Sequence, residues 1–315
     1  MIRGDSMAAG WDRRDLVSPT GATLALYETA PAAPVKGIVH INHGLAEHAA
    51  RYAPFARYLA ERGWHVAAQD HRGHGFTSTS DGGPRRFSDR EGWRKVTEDT
   101  AAVNAHLRAG YPGKPVFVLG HSMGGTVAMN HVVLHPDTVA GAAIWNANFV
   151  SGGLAGVMKL VLFANGLGGA HRPAGMIDAL TFKTWDRKFS DERPEFGWLS
   201  RDLSVVDAYV ADPLCGWPAS VSLWRDFLAG MARAADDDAL KSVPRSLPFH
   251  LVGGSEDPAT EGGKATRDMA QRLKRRGFAD VTLNVFEGFR HETLNEIGAD
   301  IAMSNFADWL DQRAG

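Results

Sequence analysis

Short runs of β-branched and aromatic residues alternate along the chain with longer stretches whose apolar residues recur at helical spacing. The short runs predict strands at residues 23–28, 37–41, 65–69, 116–119, 139–145, 249–252 and 281–286. The longer stretches predict helices at residues 53–62, 92–109, 123–134, 263–276 and 295–313. Such alternation indicates an α/β protein with a mostly parallel central sheet and helices on both faces.

This alternation lapses between residues 146 and 241, where glycine, proline and aromatic residues are frequent. Five of the nine tryptophans and six of the fifteen phenylalanines lie within residues 145–227. An insertion that follows a parallel strand lies above the carboxyl edge of the sheet, where open α/β folds bind ligands. We therefore predict a core formed by residues 1–145 and 242–315, and a helical cap formed by residues 146–241.

Composition narrows the functional class. The chain has 315 residues and a net charge of −2, which argues against nucleic acid as a partner because phosphate binding needs a basic surface. The single cysteine, Cys215, excludes an internal disulfide and fits a reducing compartment, so we expect a cytoplasmic protein. Residues 1–15 have no apolar run of the secretory kind, and we expect them to be flexible. The sequence does not predict an oligomeric state.

One pentapeptide carries most of the chemical information. Residues 120–124 read G-H-S-M-G, and they lie between a predicted strand and a predicted helix. This context is that of a nucleophile elbow, in which a tight turn exposes a serine hydroxyl at a helix N-terminus. We therefore predict that Ser122 is a nucleophile.

A serine hydroxyl needs a base, and the base needs an orienting carboxylate. In folds with this elbow the chain order is serine, acid, histidine. Asp257 follows one late predicted strand and His291 follows the last, so both lie at the same sheet edge as Ser122. Glu256 remains an alternative acid, and His121 is expected to support the site rather than transfer protons.

The oxyanion that forms during acyl transfer needs two N–H donors. One is expected from the backbone of Met123, next to the nucleophile. The other is expected from Leu45, in the loop after the second predicted strand, where Gly44 allows the backbone to turn.

Several segments together resemble one protein family. Residues 43–48, HGLAEH, followed by Arg51 and Tyr52, resemble the H-G-x-x-E-H-x-x-R-Y segment of monoacylglycerol lipases and bacterial lysophospholipase-like hydrolases. Residues 70–78, DHRGHGFTS, are similar to their D-x-x-G-H-G-x-S segment, and residues 120–125 to their G-H-S-M-G-G elbow. The resemblance implies an α/β-hydrolase fold and a cofactor-independent serine hydrolase whose helical cap selects medium or long acyl chains. The family also includes proteins described as serine aminopeptidases.

The cap shows no close correspondence to these lipases, so the substrate-contacting residues are predicted from position alone. We expect Gly44, Trp145, Phe149 and Trp185 to contact a small-molecule acyl ester. The histidine pairs 40/43 and 71/74 have a spacing that can bind zinc. The resemblance accounts for several of these histidines as loop-shaping residues, and we expect no metal.

An apolar cluster at residues 157–163, interrupted by Lys159, has two interpretations. It is a helix packed on its own domain, or it is a surface through which the cap makes transient contact with a membrane. The second interpretation makes the protein peripheral at a membrane.

Three functions remain open at this point. The first is a serine-dependent carboxylic ester hydrolase that acts on monoacylglycerol, lysophospholipid or a related ester. The second is a proline iminopeptidase or amidase on the same fold, in which cap carboxylates hold a substrate amine; the candidates are Asp186, Asp191, Glu192 and Glu195. The third is a non-catalytic binding protein, which the presence of all three triad residues disfavours.

Overall fold

The central sheet organises the molecule. The computed structural model describes residues 11–32, 34–149, 152–193 and 195–314. Eight strands of these residues form one sheet: β1 (Asp12–Val17), β2 (Thr23–Thr29), β3 (Gly37–Asn42), β4 (Trp64–Gln69), β5 (Val116–His121), β6 (Gly141–Trp145), β7 (Phe249–Gly254) and β8 (Val281–Phe286). Their order is β1-β2-β4-β3-β5-β6-β7-β8, with antiparallel pairing only at β1–β2 and β2–β4. The predicted mostly parallel sheet is confirmed.

Helices cover both faces of this sheet. The described residues form α1 (Ala53–Ala60), α2 (Gly92–Gly110), α3 (Met123–Leu134), α4 (Gly152–Asn165), α5 (Gly175–Leu180), α6 (Phe182–Lys188), α7 (Leu203–Ala211), α8 (Val221–Ala235), α9 (Lys264–Arg275) and α10 (Ala299–Asp311). Helices α1 and α10 pack on one face, and α2, α3 and α9 pack on the other. Because both faces are covered, β3 to β7 are buried along their whole length, which explains their continuous apolar runs.

Helix patterning follows the same burial. In α9 the buried residues recur at helical spacing and include Met269, Ala270 and Leu273, while the other side of the helix is charged. Helix α3 is apolar nearly all round because it lies between the sheet and α8. Asn130 on α3 donates to the carbonyl of Gly230 on α8 at 3.0 Å, which fixes the two helices together. In the sequence, helices α4 to α8 all come after β6 and before β7.

Two sequence expectations are corrected. The expected flexibility of residues 1–15 is wrong for its last part, because residues 12–15 belong to β1 and pair with β2; residues 1–10 lie outside the described residues. The strand was missed because its side chains are largely exposed at the sheet edge, so no apolar alternation marks it. The last helix begins at Ala299 rather than at residue 295, since Gly298 has a left-handed φ of 88°.

Candidate active site

Ser122 lies on a strained turn between β5 and α3. Its φ of 55° and ψ of −118° are costly for any residue with a side chain. Its backbone N–H donates to the carbonyl of Trp145 at 2.9 Å, which holds the turn against the end of β6. A Cβ on Gly120 would lie 2.0 Å from the carbonyl oxygen of Gly124, so this turn needs glycine. The serine side chain lines the cavity described below.

His291 and Asp257 form a buried pair. Asp257 follows β7 and is fully buried, and the His291 Nδ1–H donates to its Oδ1 at 3.0 Å. The carboxylate also accepts hydrogen bonds from the N–H of Ala259 at 2.9 Å, the hydroxyl of Thr260 at 2.8 Å and the amide of Asn146 at 3.0 Å. Burial would raise the pKa of Asp257. The electrostatic interaction with His291 and the hydrogen bonds from His291, Asn146 and Thr260 hold that pKa below its ordinary value. A carboxylate held ionised in this way can orient and stabilise an imidazolium.

The sequence-predicted serine, acid and histidine are thus brought to one edge of the sheet. Ser122 and His291 line the same cavity, and Asp257 lies behind His291. The alternative acid, Glu256, is half exposed and faces Arg290 at 3.9 Å instead of His291. His121 makes no hydrogen bond to Asp257 or Glu256. Its Nε2 lies 3.0 Å from the backbone carbonyl of His291.

The loop after β3 packs directly on the elbow. A Cβ on Gly44 would lie 3.4 Å from the Ser122 Cβ, so the backbone of this loop approaches the serine closely. Leu45 lines the cavity beside Ser122, and Met123 is the first residue of α3, where helical N–H groups lack an intrahelical partner. Ala46 adopts a left-handed φ of 56°, which completes the turn.

Glu47 holds this loop to the rest of the site. Its buried carboxylate accepts hydrogen bonds from the N–H of Gly44 at 2.5 Å, the hydroxyl of Tyr52 at 3.0 Å and the guanidinium of Arg51 at 2.6 Å. His121 lies 3.3 Å away, on the elbow. Burial would raise the pKa of Glu47, but His121 and Arg51 hold it well below its ordinary value. Sequence reasoning assigned Glu47 no role, although its place in the H-G-x-x-E-H-x-x-R-Y segment was a signal for one.

A large aromatic cavity lies between the sheet edge and helices α4 to α8, which we call the cap. Its volume is about 800 Å³, and its wall is more apolar than polar. The aromatic residues that line it are Phe182, Trp185, Phe196, Trp198, Tyr209, Trp217, Trp224 and Phe227. The ring of Trp198 lies 4.8 Å from that of His291, so the aromatic wall reaches the histidine itself. No feature of the sequence distinguishes Trp198 from the other aromatic residues of this region.

The predicted substrate contacts divide into two pairs. Gly44 and Trp185 line the cavity. Trp145 does not line it: this residue belongs to β6, and its buried indole donates to His250 at 3.1 Å. Phe149 packs against the hydrophobic cluster under α3 and α9 and is not among the residues that line the cavity. Contact of these four residues with a substrate stays a prediction.

The histidines near the site make hydrogen bonds within the protein. His40 Nε2 lies 2.6 Å from Gln69 Oε1, and His43 Nε2 accepts the N–H of His71 at 2.9 Å. Burial lowers the pKa of His74 to about 3 and also lowers that of His43, so these rings are neutral.

One group among the described residues has metal-ligand types close together. The ligand atoms of His48, Asp212 and Cys215 lie within 4.8 Å of one another. His48 already bonds to Asp212 at 2.8 Å, and the nearby guanidinium of Arg51 disfavours a second cation there. This arrangement is therefore a hydrogen-bonded contact between the loop after β3 and the segment that follows α7.

Known proteins support the family assignment. Residues 33–298 match the profile of the family described as "Serine aminopeptidase, S33". Human monoglyceride lipase is 28% identical over 96% of this chain and 91% of its own length. The monoacylglycerol lipase of Mycolicibacterium smegmatis is 27% identical over 92% of this chain and 94% of its own length.

Structural comparison supports the fold. The carboxyl esterase from Bacillus coagulans superimposes with a TM-score of 0.84 at 22% identity, covering 98% of this chain and all of the esterase chain. The family match spans the elbow, the acid turn and the histidine loop. The protein therefore belongs to the serine aminopeptidase S33 family, has the α/β-hydrolase fold and is a carboxylic ester hydrolase.

Proposed function

We propose that this protein hydrolyses monoacylglycerols, lysophospholipids or related medium- and long-chain acyl esters through an acyl-enzyme formed on Ser122. The observation that carries this proposal is the aromatic cavity of about 800 Å³ that Ser122 and His291 share. Binding sites for small molecules have volumes of roughly 300–1,000 Å³, so this cavity has room for a long chain. Each buried CH₂ contributes about 0.8 kcal/mol, which favours longer chains.

The proposed reaction has two halves. In the first, the Ser122 oxygen attacks the ester carbonyl carbon while His291 Nε2 takes the hydroxyl proton. The tetrahedral oxyanion accepts hydrogen bonds from the N–H groups of Leu45 and Met123. The C–O bond to the alcohol then breaks, and His291 returns its proton to the leaving oxygen. In the second half, water attacks the acyl carbon while His291 takes one of its protons. The bond between the acyl carbon and the Ser122 oxygen then breaks, His291 returns the proton to that oxygen, and the acid leaves.

Asp257 supports both halves of this reaction. It accepts the Nδ1–H of His291 at 3.0 Å, which leaves Nε2 as the nitrogen available to the serine. Its ionised state favours the imidazolium that forms in each tetrahedral step. Removing one donor from such an oxyanion site costs about 100- to 1,000-fold in rate, so the loop that holds Leu45 also makes a large contribution to the rate.

Chain-length profiling tests the proposal. p-Nitrophenyl esters from acetate to palmitate, monoacylglycerols and a lysophospholipid are assayed with the wild type and with Ser122→Ala. We expect serine-dependent activity that peaks at medium or long chains. Activity confined to acetate would contradict the acyl-chain assignment, and activity that survives Ser122→Ala would contradict the assigned nucleophile.

A second candidate is hydrolysis of amides, as in an iminopeptidase. The family description favours it, and two of the four carboxylates considered from the sequence, Asp186 and Glu195, line the cavity. The other pair contributes less, since Asp191 is not among the residues that line the cavity and Glu192 bonds to Arg290 at 2.6 Å. A proline-arylamide included in the same assay decides between the two, because only the peptidase would prefer it to every ester.

We also propose that the cap makes transient contact with a lipid surface. Val157, Leu160 and Phe163 on α4 are 58%, 68% and 62% exposed, and Leu167 and Leu180 nearby are exposed as well. Such a patch is unusual for a surface that meets only water. Among the described residues, no helix is long and apolar enough to cross a bilayer. A protein that meets the membrane in this way would be peripheral.

Liposome co-sedimentation tests this contact. Leu160→Asp is the informative variant, because Leu162 on the same helix is only 1% exposed and its change would perturb packing instead. Val17→Asp is the matched control, since Val17 is 74% exposed on the edge strand β1. We expect only Leu160→Asp to weaken sedimentation with vesicles of neutral phospholipid. Equal sedimentation of both variants would refute the contact.

A further inference from the structure

Asn146 occupies a special backbone position at the end of β6. Its φ of 48° is left-handed, a conformation that asparagine tolerates better than most residues. Its N–H donates to the carbonyl of Val252 at 2.8 Å, which continues the pairing of β6 with β7 past the end of the strand. The residue is 1% exposed. Its side chain is thereby fixed between the turn that carries the acid and the loop that carries the histidine.

The side-chain amide joins these two segments. Its Nδ2–H donates to Asp257 Oδ2 at 3.0 Å, and its Oδ1 accepts the hydroxyl of Thr293 at 3.1 Å. Thr293 follows His291 by two residues, and His291 donates to the other oxygen of Asp257. Because the Thr293 hydroxyl bonds to Oδ1, the amide is oriented with its NH₂ group toward the carboxylate. Asp257 is thus held by a donor at each of its two oxygens.

We propose that Asn146 is a positioning residue of the hydrolase, which holds Asp257 in the rotamer and charge state that His291 requires. This inference rests on the proposed serine mechanism. An amide suits this position because it donates a hydrogen bond to the carboxylate without adding a charge. Through Thr293 it also adds a link between the acid turn and the histidine loop, beside the direct hydrogen bond from His291 to Asp257.

The charged surroundings decide what a carboxylate in place of Asn146 would do. His291 faces Asp257 from the loop after β8, and behind it His121 from the elbow is paired with Glu47. On the acid's own turn, Glu256 faces Arg290. Asn146→Asp would therefore place a second negative charge about 3 Å from Asp257 with no additional cation to offset it. The two carboxylates would share a proton at low pH and would favour the imidazolium of His291 at higher pH.

The second effect, from the doubly ionised pair, keeps the catalytic base protonated to a higher pH. We expect Asn146→Asp to move the acid limb of the pH profile upward by about one unit or more. The matched control is Asn148→Asp, which adds the same charge two residues later. The Asn148 amide donates to the carbonyl of Ala259 at 3.3 Å and contacts neither His291 nor Asp257 through a hydrogen bond. We expect the Asn148→Asp profile to move by less than a third as much.

The experiment follows the rate at which a fluorophosphonate modifies Ser122 from pH 5 to 9, for the full-length wild type and each variant. This readout needs no natural substrate. A wild type that the reagent does not modify would overturn the proposed function itself. A wild type that reacts, with equal pH profiles for Asn146→Asp and Asn148→Asp, would overturn only the role of Asn146.

Two further variants cover the case in which Asn146→Asp does not fold. Asn146→Gly removes the amide while keeping the left-handed φ, and we expect a 10- to 100-fold slower reaction, about the loss expected for one hydrogen bond to a charged group. Thr293→Val removes only the donor that orients the amide, and we expect about a 3- to 10-fold loss at an almost unchanged Tm. Wild-type rates in both variants would refute the proposal.

Discussion

The sheet edge and the cap build their parts of the site from different interactions. At the sheet edge, buried charges such as Glu47 and Asp257 each accept several hydrogen bonds, and their partners come from distant parts of the chain. In the cap, aromatic side chains such as Phe182 and Trp198 stack on one another, with apolar helices outside them. Hydrogen bonds fix atoms within tenths of an ångström, whereas apolar contact mainly fixes volume. The first region is therefore suited to chemistry, and the second to choosing a substrate by size.

Removing the proposed nucleophile should separate the roles of the two regions most clearly. Ser122→Ala should reduce kcat for every ester by a factor of about 10⁴ to 10⁶, because the residues of a catalytic triad act as a unit. Binding of a long-chain substrate should persist, since the cavity wall is unchanged. Hydrolysis assays and equilibrium binding of a fatty acid report the two properties separately. Loss of binding together with activity would contradict the division of labour between the sheet edge and the cap.

Breaking the hydrogen-bonded region at Glu47 should affect both rate and stability. Glu47→Gln weakens one of the two carboxylate partners of Arg51, the other being Glu292, and loosens the loop that carries Leu45. We expect kcat to fall about 100-fold and the free energy of unfolding to fall by about 2 kcal/mol, because the hydrogen bonds to a buried carboxylate become weaker. The control is Glu98→Gln, where an exposed carboxylate loses its pairing with the exposed Arg94. Its effect on unfolding should be much smaller, as for other ion pairs at the surface.

Denaturant titrations and steady-state kinetics on both variants measure these effects. The sign of the pH dependence sharpens the test. Since the pKa of Glu47 is held below its ordinary value, its contribution is present above pH 4.5 and is lost as the pH falls through the lowered pKa. The stability difference between wild type and Glu47→Gln should therefore shrink in acid. A difference that grows in acid would contradict the assignment.

Changing the cap should alter selectivity more than chemistry. Trp185→Ala enlarges the cavity and removes apolar contact, so kcat/KM for long-chain esters should fall about 10-fold, the equivalent of about two lost CH₂ contacts. The rate with acetate should hardly change. Trp145→Phe is the informative contrast, because Trp145 belongs to β6 and its indole donates to His250. That variant should lose stability and keep its chain-length profile; a shifted profile would mean that Trp145 reaches the substrate after all.

The smallest expected effect concerns a carboxylate inside the cap. Burial raises the pKa of Asp178, which lines the cavity, to about 6. A carboxyl with a raised pKa favours the folded state in acid, and this advantage is lost as the pH rises from about 4 to 6. Asp178→Asn should therefore stabilise the protein at pH 8 by about 1 kcal/mol, allowing for partial exposure, and should not do so at pH 4. Thermal unfolding at both pH values checks this, and equal effects at the two would contradict it.

The sheet edge and the cap also differ in how far they could be predicted from the sequence. Ser122, Asp257 and His291 follow directly after strands, and strands of a buried parallel sheet have a strong apolar pattern, so their shared edge was predictable. Glu47 and Asn146 were overlooked, although each is a polar residue at that same edge. The cap was predictable only as an insertion, because aromatic residues that line a cavity and those that fill a core have the same sequence pattern. Trp185 and Trp145 illustrate this, since only the first reaches the cavity.

The hydrogen bonds from Ser122 to Trp145 and from Asn146 to Val252 extend the sheet's ladder beyond its last paired residues. Amides in such a ladder exchange with solvent only when the sheet itself opens, whereas helices held by side-chain packing exchange through smaller local openings. The backbone of the nucleophile should thus be among the slowest-exchanging parts of the chain, and the cap among the fastest. Under gradual heating or limited proteolysis, the enzyme should lose its discrimination between substrates before it loses the capacity to react with a small one.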